Sequence, residues 1–237
     1  MVANDVKRVV FLCSGGGGNL AFVHQAIIRG WLPEAQIVEV LTDRLCQAND
    51  FAERVGLPNR CIDFKDEGQR NLLTILDELK PDLIITTVHK ILGETVVEHY
   101  RNRLINLHYS LLPAFAGLIG ARSVQAALDY GTRFSGVTVH RVDESVDGGR
   151  PLVQGVIALQ GEETLDELMN VVFRSGGIAL LSAITHLLDG TAKSHAPSLL
   201  NILGRTCLFN GGSPVTDELV ENEDFWQQLR QALDVTN

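Results

Sequence analysis

The chain has 237 residues, 45% of them hydrophobic and 21% charged, so it can bury a full core and is not expected to be disordered. Its 29 acidic and 20 basic residues give a formal net charge of −9, which argues against a broad surface for nucleic acid or anionic membrane. The four cysteines include no Cys-x-x-Cys pair, and the first apolar run is too short for a signal peptide. We therefore expect a cytoplasmic protein with reduced thiols and no metal site; the sequence does not indicate an oligomeric state.

Apolar runs typical of β-strands alternate with segments of helical spacing through the first part of the chain. Strands are predicted at residues 8–13, 37–41, 83–88 and 104–107, and helical spacing includes residues 20–29 and 71–79. The runs are almost continuously apolar, as in parallel strands that are covered on both faces. This pattern predicts an α/β fold of Rossmann type, with a doubly wound, mostly parallel sheet and helices on both faces. Ligands bind at the carboxyl ends of the strands in such folds.

Four consecutive glycines, residues 15–18, separate the first predicted strand from the first helix. Glycine lets the backbone approach an anion closely, and the N–H groups at a helix start favour negative charge. Gly16, Gly17, Gly18 and Asn19 are therefore candidates for binding a phosphate on a substrate. The segment matches neither the P-loop pattern nor G-x-G-x-x-G, which argues against nucleotide hydrolysis and NAD binding. A tight turn without a ligand is the alternative.

Asn106 and His108 lie at the end of the fourth predicted strand, separated by one apolar residue. In an extended backbone, residues i and i+2 project from the same face, so the amide and the imidazole would point together into the crevice at the sheet edge. Taken alone, such a pair is more often structural, because a strand-end Asn commonly bonds to backbone.

Three carboxylates, Asp143, Glu144 and Asp147, occur within five residues, directly before two glycines. Carboxylates near an imidazole raise its pKa and can hold it protonated. The alternative is a solvated acidic turn. His140, in the strand before this turn, could contact the same site, although a structural role is favoured.

The chain after residue 135 changes its pattern. Residues 136–142 and 152–159 are strand-like and flank the acidic turn, which predicts a hairpin or two edge strands. Thr164 begins a long predicted helix that runs through Leu187 to a stop at Gly190. From Thr191 onward we expect loops, with a strand at 206–209 and an amphipathic helix at 224–233.

Three segments together resemble the folate-dependent formyltransferase family. They are SGGGGNL after the first strand, INLHYSLLPAFAG in mid-chain and GVTVHRVDESVDGG about thirty residues later. The resemblance covers residues 8–190. It implies a formyltransferase catalytic domain over residues 1–190, with a C-terminal extension of residues 191–237 packed on the same domain.

The resemblance implies transfer of a formyl group from 10-formyltetrahydrofolate to a small-molecule primary amine, with Asn106, His108 and Asp147 as the catalytic residues. Asn106 and a protonated His108 would stabilise the oxyanion, while Asp147 would keep the imidazole charged and relay a proton. No metal is needed. The residues implied to bind the folate are His89, Lys90, Ile91, Leu92, Val142, Asp143, Glu144 and Val146. Lys90 stands where the family usually has an arginine.

The preferred acceptor is a phosphorylated amine such as glycinamide ribonucleotide, which would place the enzyme in purine biosynthesis. Three departures leave the acceptor open: Tyr109 stands where family members acting on that substrate usually have proline, residues 119–121 replace a histidine-containing loop, and residues 175–177 replace a glutamate. The alternatives are another amine, such as an amino sugar or a specialised metabolite, a formyltetrahydrofolate deformylase, and a non-catalytic protein that binds a phosphorylated metabolite. The acidic tail, residues 213–237, argues against a tRNA acceptor.

Overall fold

A computed structural model of the chain describes residues 6–188, 197–211, 219–220 and 222–233. The chain forms two compact units. The first comprises the residues up to Ile105 together with those from Asp224 onward, and the second runs from Asn106 to Glu223. The fifth strand, β5 (Leu104–His108), contributes residues to both units.

The first unit contains a parallel sheet in the strand order β3-β2-β1-β4. Its elements in chain order are β1 (Lys7–Cys13), α1 (Gly18–Ile28), β2 (Ala35–Thr42), α2 (Gln47–Arg54), β3 (Asn59–Cys61), α3 (Asp66–Leu79), β4 (Leu83–Thr87) and α4 (Glu94–His99). Strands β2 and β3 lie on one side of β1, and β4 lies on its other side. Because parallel crossovers are right-handed, this arrangement places helices on opposite faces, as expected for a doubly wound fold.

Burial explains why the strands of the first unit read as continuous apolar runs. Val9, Val10, Phe11 and Leu12 are at most 1% exposed, so side chains on both faces of β1 are covered. The C-terminal helix, α7 (Glu223–Leu233), adds to this core, since Trp226 stacks on Phe22 of α1 at a ring distance of 5.7 Å.

The second unit contains antiparallel strands in the order β6-β7-β9-β8. Its elements are α5 (Ala121–Tyr130), β6 (Phe134–Arg141), β7 (Pro151–Ala158), α6 (Leu165–Leu188), β8 (Ser198–Ile202) and β9 (Arg205–Phe209). The hairpin predicted around the acidic turn is therefore present as β6 and β7. Helix α6 packs on both of these strands.

Helix α6 begins with a capping box, which explains the predicted start. Thr164 Oγ1 accepts a hydrogen bond from the Glu167 N–H at 3.3 Å, and Glu167 accepts one from the Thr164 N–H at 2.9 Å. The helix is long and apolar enough to cross a membrane by length and composition alone. Most of it is buried inside the protein, which is the pattern of a core helix.

Most predicted elements are confirmed within one to three residues, but the expectation of loops after residue 191 is wrong for β8. This strand alternates exposed and buried side chains and pairs with β9. The predicted helix stop at Gly190 and the start of the extension at Thr191 lie outside the described residues. The expected boundary between residues 1–190 and 191–237 stays a prediction.

Candidate active site

Asn106 and His108 share one face of β5, as their spacing predicted, and both side chains reach Asp147. The Asn106 Nδ2 atom lies 3.5 Å from Asp147 Oδ1, and the His108 Nδ1 atom lies 3.3 Å from Asp147 Oδ2. His108 is 6% exposed, and the Asp147 side chain is 14% exposed. The second unit therefore brings together an amide, an imidazole and a carboxylate that are distant in sequence.

The loop between β6 and β7 holds Asp147 in an unusual backbone conformation. Its φ angle is 53°, in the left-handed region that residues with a side chain seldom adopt. A conformation of this kind costs on the order of 1–2 kcal/mol and persists where surrounding contacts fix it. One such contact is the Gly117 N–H, which donates to Asp147 Oδ2 at 2.8 Å. The backbone conformation of Asp147 and the hydrogen bond from Gly117 together fix the position of this carboxylate.

His108 lies between two oxygen atoms, and a neutral imidazole can donate to only one of them. Its Nε2 atom lies 3.2 Å from the Phe115 carbonyl oxygen, while Nδ1 faces Asp147. Burial lowers the pKa of His108, and this effect outweighs the opposing influence of the Asp147 carboxylate and the Phe115 carbonyl. From the sequence, we expected a raised pKa for His108 and a protonated imidazole. The structure corrects that expectation, because the carboxylate is there but the loss of hydration is the larger effect.

For the pKa of Asp147, burial is the weaker influence and the polar contacts together are the stronger one. Burial pushes the pKa of its carboxyl upward, but the hydrogen bond from the Gly117 N–H and the two imidazoles beside the carboxyl together outweigh burial. The pKa of Asp147 therefore lies below its ordinary value, and the group is a carboxylate at neutral pH. At rest, the site pairs a neutral imidazole with an ionised acid.

A buried polar cluster fixes the loop that follows His108. Thr138, which is fully buried on β6, donates to the Ser110 carbonyl at 2.8 Å and accepts from the Leu112 N–H at 3.1 Å. Gln154 of β7 donates to the Leu112 carbonyl at 3.2 Å and to Thr138 Oγ1 at 3.1 Å. This loop carries the Phe115 carbonyl and the Gly117 N–H that contact His108 and Asp147. These two groups could not be predicted from the sequence, because every residue has the same backbone atoms.

Two of the three departures from the family pattern, Tyr109 and Gly176, are neighbours in space. A Cβ atom at Gly176 of α6 would lie 3.2 Å from Tyr109 Cε1 and 3.0 Å from Leu107 Cδ2. The aromatic ring therefore occupies the space beside a helix position without a side chain. Ile119, the third departure, is 36% exposed.

The glycine turn of the first unit is a tight strand-to-helix connection. Gly17 is the N-cap of α1 and has a φ angle of 71°, and a Cβ atom there would approach the Ala48 Cα to 3.0 Å. Because a glycine cap supplies no side-chain acceptor, the first N–H groups of α1 depend on other partners. Gly16, Gly18 and Asn19 lie in the same turn, and their role in binding phosphate stays a prediction.

The residues predicted to bind folate lie in both units. His89, Lys90, Ile91 and Leu92 follow β4 in the first unit, where the His89 N–H donates to Ser14 Oγ at 2.8 Å. Residues 142–146 lie in the second unit, in the loop before Asp147. Each segment presents a large apolar side chain to solvent, Ile91 at 73% and Val146 at 54% exposure. Burial of these side chains against an apolar ring would be favourable.

The comparisons with known proteins decide the family. Residues 7–184 match the family model described as formyl transferase. The chain belongs to the formyl transferase family. The expected fold class, the family resemblance and the assignment as a formyltransferase are thereby confirmed, and the match includes every residue proposed for the site.

Individual relatives agree with this assignment. The formyl transferase is 33% identical over 189 residues to the phosphoribosylglycinamide formyltransferase of Mycobacterium tuberculosis, covering 76% of this chain and 86% of the relative. It is 32% identical to the trifunctional purine biosynthetic protein adenosine-3 of Drosophila melanogaster, over 81% of this chain but only 15% of that protein. The solved phosphoribosylglycinamide formyltransferase of Brucella melitensis is 31% identical, with a TM-score of 0.70 over 78% of this chain and 97% of that one.

Proposed function

We propose that this formyl transferase moves the formyl group of 10-formyltetrahydrofolate to the primary amine of glycinamide ribonucleotide, as a step of purine biosynthesis. The observation that supports the proposal most strongly is the convergence of Asn106 and His108 on Asp147 at the end of β5. The names of the relatives supply the acceptor. A protein that only binds a phosphorylated metabolite has no need of such a group of side chains.

The reaction forms a bond between the amine nitrogen and the formyl carbon, and it breaks the bond from that carbon to N10 of the folate. Negative charge develops on the formyl oxygen between these events. Donors placed at that oxygen before the reaction stabilise the charge without reorganisation, and Asn106 and His108 are the two candidates. Removal of one such donor typically lowers the turnover number by about 10²–10³-fold.

We infer that His108 becomes a charged donor only during the reaction. Its two nitrogens already face the Asp147 carboxylate and the Phe115 carbonyl, and burial alone keeps it neutral at rest. A developing oxyanion adds a further negative charge nearby and so favours the imidazolium. Asp147 passes the proton that the attacking amine loses to His108, which forms the imidazolium. When the bond to N10 breaks, the imidazolium gives this proton up again, and Asp147 relays it to the departing folate nitrogen. The protons balance, since one leaves the amine and one reaches N10.

The remaining predicted residues bind the two substrates. His89, Lys90, Ile91 and Leu92 of the first unit and Val142, Asp143, Glu144 and Val146 of the second are proposed to bind the folate. Backbone groups and apolar side chains of this kind recognise an amide-bearing heterocycle. Gly16, Gly17, Gly18 and Asn19 are proposed to bind the phosphate of the acceptor at the start of α1.

The test is an incubation of the purified protein with 10-formyltetrahydrofolate labelled in the formyl carbon, together with glycinamide ribonucleotide, with a panel of other amines, or with no amine. The proposal predicts labelled formylglycinamide ribonucleotide as the main product and little formate without an amine. Labelled formate at the same rate in every tube would instead identify a deformylase. Labelled product with another amine alone would support the proposed chemistry but refute glycinamide ribonucleotide as the acceptor.

A further inference from the structure

His140 reaches the active site from β6, next to an irregularity in the β6–β7 hairpin. The two strands pair regularly as far as Val139 with Val153, and then the register shifts so that His140 pairs with Pro151. The extra residue of this bulge, Leu152, lies on β7. The imidazole of His140 is buried, and its Nε2 atom lies 3.3 Å from Asn106 Nδ2 and 3.6 Å from Asp147 Oδ1.

The other nitrogen of His140 has an acceptor of its own. Its Nδ1 atom lies 2.8 Å from the carbonyl oxygen of Arg141. A carbonyl can only accept, so Nδ1 must carry the proton. In the neutral ring, the proton on Nδ1 leaves Nε2 as a lone pair that faces the Asn106 amide.

Gly149 allows the Arg141 carbonyl to stay in this position. A Cβ atom at residue 149 would lie 1.8 Å from the Arg141 oxygen and 2.8 Å from its carbonyl carbon. Both atoms are backbone, and no rotation of a side chain could relieve such a contact. A side chain at this position would therefore displace the carbonyl that holds the His140 proton.

We propose that His140 is a positioning residue for Asn106, held in its Nδ1–H tautomer by the Arg141 carbonyl, and that Gly149 is required for this arrangement. One N–H of the Asn106 amide donates to His140 Nε2, which fixes the amide's orientation. The second N–H lies toward Asp147 Oδ1 at 3.5 Å, at the limit of a hydrogen bond, and can exchange this partner for the formyl oxygen. His140 thus aims an oxyanion donor without contacting the substrate.

The inference rests on the proposed function for its kinetic consequence, but its structural part is tested without any reaction. Nitrogen-15 chemical shifts of the His140 ring, measured by NMR at neutral pH, distinguish the two neutral tautomers and the imidazolium. We expect the Nδ1–H tautomer in the wild type. The same tautomer is expected in Gly148→Ala, because a Cβ atom there would displace the exposed Ser145 side chain, 2.2 Å from its Oγ and 2.9 Å from its Cβ, and not the Arg141 carbonyl. Gly149→Ala should lose it.

Kinetics then separate His140→Gln from His140→Leu. The Gln side chain oxygen can accept from Asn106 in place of Nε2, so this variant should keep its turnover number within about tenfold of the wild type. The leucine variant should lose about tenfold to hundredfold in turnover number, with the Michaelis constants nearly unchanged, because a displaced catalytic group slows the chemical step.

Two results would overturn the inference: an Nε2–H or doubly protonated His140 in the wild type, or a wild-type turnover number in His140→Leu. If the leucine variant does not fold, the wild-type tautomer and the glutamine variant decide the matter. A wild-type protein that transfers no formyl group to any amine would refute the proposed function instead, and it would leave the tautomer measurement valid.

Discussion

The Nδ1 atom of His108 and the Oδ2 atom of Asp147 lie 3.3 Å apart, and both side chains are largely buried. The opposing effects on these groups define the resting state of the site. Burial keeps the imidazole neutral, while hydrogen bonds keep the carboxylate ionised. A proton gained by His108 would convert this pair into an ion pair.

Replacement of Asp147 by asparagine should separate chemistry from binding. The amide oxygen can still accept from the Gly117 N–H, so the loop should keep its shape, but the negative charge facing His108 is lost. We expect the turnover number to fall by about 10²–10⁴-fold, with folate affinity nearly unchanged. Steady-state kinetics and calorimetry with a non-reactive folate analogue measure the two effects. Asp129→Asn, on the surface of α5, is the control. Weakened folate binding with an unchanged rate for bound substrate would refute the relay role.

The lowered pKa of His108 predicts a dependence of stability on pH. The unfolded chain binds this proton with the ordinary pKa of 6.5, and the folded protein binds it less tightly. Unfolding therefore takes up a proton below pH 6.5, and the stability provided by the neutral ring is lost as the pH falls from there to the lowered pKa. Denaturant titrations between about pH 7.5 and 5, above the range of carboxyl titration, should show a shallower loss in His108→Asn than in the wild type. His24, whose pKa is also lowered by burial, contributes equally to the loss of stability in both proteins. Equal slopes would show that His108 does not titrate as described.

The Thr138 cluster should be needed for the loop after His108. Thr138→Val keeps the shape of the side chain but removes one donor and two acceptor contacts. The unpaired Leu112 N–H and Ser110 carbonyl predict a loss of about 1–3 kcal/mol in the free energy of unfolding, with a lower turnover number. Thr132→Val is the matched control, because its hydroxyl makes a single bond to Ala127 at the end of α5. Equal effects of the two substitutions would assign no special role to the cluster.

The sequence predicted the parallel sheet because strands buried on both faces leave an unmistakable pattern. It missed β8, a strand of five residues whose exposed and buried side chains alternate and whose only described partner is β9. A short edge strand contributes too little apolar sequence to be told from a loop. Its pairing depends on the turn at Leu203 and Gly204, both at positive φ.

The proposed site was predictable where it consists of side chains. Asn106 and His108 follow from the two-residue period of a strand, and Asp147 from the family resemblance. The Phe115 carbonyl and the Gly117 N–H could not be predicted, since any residue supplies the same backbone groups. The direction of the His108 pKa was also beyond the sequence, because it depends on how much water the folded chain excludes.

The C-terminal helix should stabilise the first unit. Trp226 of α7 is 1% exposed, stacks on Phe22 and contacts Phe225 edge to face. Trp226→Ala should lower the free energy of unfolding by about 3–5 kcal/mol, as for other buried aromatic side chains. The neighbouring exposed residue provides the control, since Gln227→Ala should change it by less than about 0.5 kcal/mol. A loss below about 1 kcal/mol for the tryptophan variant would mean that α7 does not pack as described.

The central claim is that Asn106, His108 and Asp147 act as one unit on a single formyl carbon. Single-turnover rates of formyl transfer to glycinamide ribonucleotide should be measured for Asn106→Ala, His108→Ala, Asp147→Asn and the triple variant. Residues that act together are not additive, so we expect the triple variant to lie within about tenfold of the slowest single variant. Losses that multiply across the three substitutions would show that these side chains act independently, and would contradict the account.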